Sequence, residues 1–114
     1  MLAVIYKFKL QSHQEVLYQH HWNKIAQFFI EHRGAIGSVL HKGDAGLWIA
    51  YSRWPDKATR DASWPGEESP NKDLPEDIGN SIKLMQAIKK ENSHLIDDYE
   101  EICLDVVSDL LVQT

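Results

Sequence analysis

The sequence predicts an α+β fold of the ferredoxin-like kind, β-α-β-β-α-β, in which an antiparallel four-stranded sheet carries its helices on one face. Three observations predict it. Large apolar residues occupy every second position from Leu2 to Leu10, a stretch of helical period runs from about Ser12 to His32, and two extended segments flank the turn Gly43-Asp44-Ala45-Gly46. A second helical stretch and a last strand complete the order.

In the first strand Leu2, Val4, Tyr6, Phe8 and Leu10 form the core face, while Ala3, Ile5, Lys7 and Lys9 point the other way. Ser12-His13-Gln14-Glu15 has capping-box spacing, with Ser12 accepting from a first-turn N–H and Glu15 reaching back. Gly34 stops the helix. Along it Leu17, Tyr18, Trp22, Ile25, Phe28 and Phe29 share one face, joined by His21 and His32, whereas Glu15, Gln19, Asn23, Gln27 and Glu31 lie towards the other. His20 projects to the polar side, so His20 and His21 cannot act as one unit.

The second strand opens on Gly34-Ala35-Ile36-Gly37-Ser38 and runs to His41; the third runs from Leu47 to Pro55 and Asp56, where a short helix to about Trp64 begins. Residues 65–75 contain three prolines and read as a loop. It is either a lid or a solvated excursion, and with almost nothing apolar to bury it is expected to be the most mobile segment. From about Glu76 a helix carries Ile78, Ile82, Met85 and Ile88 on one stripe, with Lys83, Lys89 and Lys90 outside, and frays near Asn92. The last strand reads from about Tyr99 to Val107, with Ile102, Leu104 and Val106 inward. The apolar tail Leu110-Leu111-Val112 is expected to pack on a partner chain.

A length of 114 residues fits one domain, residues 1–114, with the loop 65–75 as an insertion. The net charge of −5 and the scattering of lysines among acids exclude a nucleic-acid partner. Cys103 is the only cysteine, which excludes an internal disulfide and a multi-cysteine metal site. His13 and His20 find no third ligand at useful spacing, so no metal is expected. The first residues lack a basic leader, and no apolar run is long enough to span a membrane; a cytoplasmic protein without a membrane partner is expected. Helices on one side leave the other sheet face bare, and a homodimer is the expected cover.

The order of elements, the Gly37-Ser38 strand start and the Tyr51-Ser52-Arg53-Trp54 strand end followed by a helix signal together resemble the antibiotic-biosynthesis-monooxygenase family. The resemblance covers roughly residues 2–64, and the remainder by topology. It implies a dimeric α/β barrel in which two sheets pack face to face and each protomer keeps a small apolar pocket between sheet and helices. Activities in the family differ, from cofactor-independent oxygenation of polycyclic phenols through isomerisation to heme degradation, so membership sets only an expectation about function. The heme-degrading branch uses an asparagine on the first strand, a tryptophan after the third strand and a histidine on the following helix. Trp64 stands near the second of these, but the first strand has no asparagine and no histidine occurs between His41 and His94, which disfavours heme.

The residues that could carry chemistry are aromatic, with a few titratable groups among them. His21, midway along an apolar face, loses solvation and is expected as a neutral base for a phenolic or enolic substrate. Arg53 beside an aromatic cleft could stabilise an enolate or peroxide anion, or serve a structural carboxylate. Tyr6, Trp22, Tyr51, Trp54 and Trp64 are the expected substrate contacts, with His21 directed at Tyr6 and Tyr51. Two functions follow. One is a cofactor-free monooxygenase or isomerase in which the electron-rich substrate supplies the reducing power; the other is a non-catalytic dimeric barrel that binds a small apolar ligand or a protein.

Overall fold

The computed structural model describes residues 1–63, 73–95 and 101–111. Strand β1 (Leu2–Lys9) leads through a short 3-10 turn (Ser12–Gln14) into helix α1 (Glu15–His32). Strands β2 (Gly37–Lys42) and β3 (Leu47–Trp54) form the hairpin, α2 (Lys57–Ser63) follows, and α3 (Glu76–Glu91) and β4 (Glu101–Asp105) close the order. The sheet runs β2-β3-β1-β4 with every neighbouring pair antiparallel, which is the ferredoxin-like arrangement read from the sequence.

Alternation in β1 sends Leu2, Val4 and Phe8 into the core, where Trp48, Ala50 and Trp54 of β3 join them. From the helices come Tyr18, Ile25 and Phe29 of α1 and Ile78, Ile82, Met85 and Ile88 of α3, all buried. Phe8 and Tyr18 stack at 4.8 Å, and α1 packs along α3 above the sheet.

Several local expectations shift. The capping box lies one residue earlier than Ser12 and Glu15: the Gln11 N–H donates to Gln14 Oε1 at 3.3 Å, and Glu15 instead pairs with Lys42 at 2.9 Å. The end of α3 does not fray at Asn92. That side chain is 1 % exposed, donates to Gln14 Oε1 and to the Ile88 carbonyl at 2.8 Å each, and accepts from Gln11 Nε2 at 3.2 Å. It thereby ties the end of α3 to the start of α1, satisfying polar groups that would otherwise be buried unpaired.

Strand β4 faces opposite to its expected orientation. Its pairing sets Asp105 opposite Leu2, Cys103 opposite Val4 and Glu101 opposite Tyr6, so these three share the helix-covered side. Ile102 and Leu104 therefore lie on the bare face with Ala3 and Ile5. The tail is held there by Arg53, which pairs with Asp109, while Leu110 and Leu111 remain exposed; Val112, residues 65–72 and Trp64 lie outside the described residues.

Two glycines make a paired test of backbone strain. Gly34 ends α1 at φ +84°, and a Cβ there would stand 3.3 Å from Thr59 Cγ2. Gly34→Ala is expected to destabilise by about 1–2 kcal/mol. Gly79, inside α3 with open space at its Cβ position, is expected to gain about 0.8–1 kcal/mol as Ala. Urea unfolding of both variants reads the two signs, and equal shifts would contradict this account.

Candidate functional site

Between the sheet and α1 lies a cavity of about 60 Å³, several times the space one water needs. Tyr6, Trp22 and Trp54 line it, as does Met85 from α3. Two cationic residues reach the same cavity, Arg60 from α2 and Lys89 from the last turns of α3.

Arg60 is placed by the short helix that Asp56 caps, its Oδ1 accepting from the Thr59 N–H at 2.7 Å. The guanidinium donates from Nη2 to the Tyr6 hydroxyl at 2.7 Å and pairs with Glu101 of β4. Burial pushes the Tyr6 phenol up to about 12 against the opposing charge of Arg60, so the phenol keeps its proton and its donor capacity.

Lys89 stands across the Tyr6 ring, its Nζ 4.8 Å from that ring centre and 5.5 Å from the centre of Phe8. Lys24, Lys42 and Lys57 each meet a carboxylate at the surface. Lys89 has no hydrogen-bond or ion-pair partner among the described residues. Desolvation by these rings lowers its pKa to about 8, with Glu101 opposing, so a useful fraction of the amine is neutral near physiological pH.

The expected contacts Tyr6, Trp22 and Trp54 come together at this cavity. Tyr51 also borders it, between Ala50 and Ser52 of β3. Its phenol lies on the bare face, opposite Ile5 and Val39, where it accepts from Arg53 Nε at 2.6 Å. Arg53 is thus removed from the cavity by the two-residue period of β3 and is engaged with Tyr51 and Asp109.

His21 is also displaced from the expected position between helix and sheet. Leu17, His21, Lys24 and Phe28 form a strip along the margin of the α1 core face, turned towards α3. His21 Nδ1 shares a hydrogen bond of 2.9 Å with Ser81 Oγ, and Lys24 pairs with Asp77 at 3.3 Å. Desolvation, then the neighbouring His20 and Lys24, lower the His21 pKa. It neither lines the cavity nor points at Tyr6. His41 is exposed, with Nδ1 3.1 Å from the Ile49 carbonyl oxygen.

Sequence reasoning missed Lys89 and Arg60. A signal for Lys89 was present, because residues 82, 85 and 89 share the i, i+3, i+7 stripe of α3; the charge of the side chain led to its expected place outside. Arg60 had no such signal, since its role depends on β4 bringing Glu101 opposite Tyr6.

Among the described residues no group of three or more His, Cys, Asp or Glu side chains is placed to hold a metal ion. No helix of the described residues is long and apolar enough to cross a membrane.

No protein-family model and no curated protein matches this chain. Solved structures do. An antibiotic biosynthesis monooxygenase superposes with a TM-score of 0.64 over 95 % of this chain and 100 % of its own, at 15 % identity. SnoaB, a cofactor-independent oxygenase from Streptomyces nogalater, superposes with a TM-score of 0.65 over 96 % of this chain and 95 % of its own, at 10 % identity. A protein of Mycobacterium tuberculosis gives 0.64 over 96 % and 98 %, at 11 % identity. At such identities the likeness is one of architecture: this chain has the ferredoxin-like α+β fold of the antibiotic biosynthesis monooxygenases.

Proposed function

We propose that this chain is a cofactor-independent monooxygenase, or a related isomerase, acting on a small aromatic or enolisable substrate bound in the cavity between sheet and helices. The observation that carries the reading is the Lys89 amine, lowered to about 8 and set over the Tyr6 ring. The fold shared with the cofactor-independent oxygenase SnoaB supports it.

In this reading neutral Lys89 takes the proton from a phenol or an activated methylene. The anion that forms is held by the new ammonium and by the Arg60 charge, in a site where aromatic walls keep the local dielectric low. Dioxygen then reacts with the electron-rich carbon. A methylene and one dioxygen become a carbonyl and one water, so the substrate gives up the four electrons that dioxygen takes, and no cofactor is required. Without dioxygen, return of the proton to another carbon gives isomerisation. Tyr6, Trp22 and Trp54 are the substrate contacts. His21 and Arg53, outside the cavity, have no step in it.

The test is oxygen uptake over a panel of small polyphenols and activated-methylene compounds, followed by comparison of affinity and turnover. Uptake above the uncatalysed rate supports the reading. Saturable binding with no uptake or isomerisation supports the non-catalytic barrel instead.

The proposal includes a homodimer through the bare sheet face. Ile5, Ile49 and Ile102 lie there half-buried, with Val39 48 % and Leu104 45 % exposed in the isolated chain, an apolar strip of the kind that favours association. Sedimentation is expected to give a dimer mass, and Ile5→Asp a monomer. A wild type that sediments as a monomer at every concentration would overturn it.

A further inference from the structure

The geometry points to Lys89 as a carbonyl-capturing nucleophile that forms a reversible imine with a small aromatic aldehyde or ketone in the cavity. This goes beyond the oxygenase reading and does not rest on it. An imine needs an accessible amine free of competing partners, an apolar chamber that holds the carbonyl compound, and a donor near the carbonyl oxygen. All three meet here. Lys89 lines the cavity over the rings of Tyr6 and Phe8 with no carboxylate or hydrogen-bond partner among the described residues. Trp22 and Trp54 provide flat apolar walls. On the same Tyr6 ring that faces the amine, the hydroxyl and its Arg60 partner, 2.7 Å apart, present protons at the polar edge of the cavity.

In the step itself the Nζ lone pair attacks the carbonyl carbon and the new C–N bond forms. The C–O bond then breaks, and the oxygen leaves as water with the two amine protons. No oxidation or reduction occurs. Of the charged groups at the cavity, Glu101 from β4 favours the ammonium against the desolvation that disfavours it, and Arg60 from α2 is engaged with Tyr6 and Glu101; Tyr6 from β1 stays protonated. At pH 8 about half of the Lys89 amines are neutral, against roughly one in 250 for an ordinary lysine. The reactive fraction is therefore about 100-fold larger than at the surface.

The test incubates the intact wild-type protein with benzaldehyde and cyanoborohydride at pH 8 under argon, then maps the reduced benzyl adducts by mass spectrometry. Cyanoborohydride supplies the hydride to the imine carbon and solvent the proton to nitrogen. Labelling of Lys89 at least ten-fold faster than the exposed Lys83 and Lys90 is expected, with the dominant adduct lost in Lys89→Arg. Equal labelling of Lys89 and Lys90 would overturn the proposal. The comparison within wild type decides the matter even if the variant folds poorly. Because dioxygen is excluded, failure of the oxygenase reading leaves this result untouched, and failure here leaves oxygen uptake to be judged separately.

Discussion

Lys89→Met is expected to lower turnover of an oxidisable phenol by about 10²–10⁴-fold while leaving its binding within a few-fold, as follows when a general base is removed from an otherwise intact pocket. Methionine keeps the length and apolar stem of lysine, so the walls formed by Tyr6 and Phe8 stay packed. The pH profile gives a second readout. The base works only as the neutral amine, and its pKa lies at about 8, so kcat/KM should fall ten-fold per unit below that pH and level off above it. An ordinary lysine would place the bend above about 10. Exposed Lys90→Met serves as the control and should leave both rate and profile unchanged. Wild-type turnover in Lys89→Met would remove the amine from the mechanism.

Phe8→Ala is expected to cost about 3–5 kcal/mol, a large share of the roughly 5–15 kcal/mol that holds a domain of this kind together. Phe8 is fully buried near the C-terminal end of β1, in contact with the Tyr18 ring and with the Lys89 amine 5.5 Å from its ring centre. Its removal opens a cavity that α1 and the sheet, both rigid elements, fill only in part. The urea midpoint should fall accordingly. In whatever fraction remains folded at low temperature, the opened space admits water to Lys89, relieving desolvation, and the bend of the activity profile should move upward. A variant with unchanged midpoint would show that the core closes over the gap.

The two experiments separate stability from chemistry at one point in the fold. Lys89→Met removes the amine and keeps the packing; Phe8→Ala keeps the amine and loosens the packing around it.

How far the molecule is legible in its sequence depends on the range of the interaction concerned. Alternation in β1, the Gly43–Gly46 turn and the Ile78-Ile82-Met85-Ile88 stripe are local patterns, imposed by the two-residue period of a strand and the 3.6-residue period of a helix. These sufficed for the order of elements, the core face of β1 and the ferredoxin-like plan. Three of the aromatic residues that line the cavity, Tyr6, Trp22 and Trp54, were also readable, because each sits on a core face defined by such a period. Strand β4 shows the limit. The run Glu101-Ile102-Cys103-Leu104-Asp105 alternates cleanly, yet alternation cannot say which sheet face its apolar side meets; only pairing with β1, Asp105 opposite Leu2, put Ile102 and Leu104 on the bare face and Glu101 beside Arg60. His21 followed the same rule, since its place on an apolar helical face became a contact with Ser81 once α3 packed along α1. Sequence by itself thus determined the elements and the faces they bury. Tertiary packing decided what surrounds the charged side chains at the cavity. The helical stripe puts Lys89 on the core side of α3, but the rings beside its amine come from β1, a strand some eighty residues away along the chain, and Arg60 meets Tyr6 and Glu101 only through the pairing of β1 with β4.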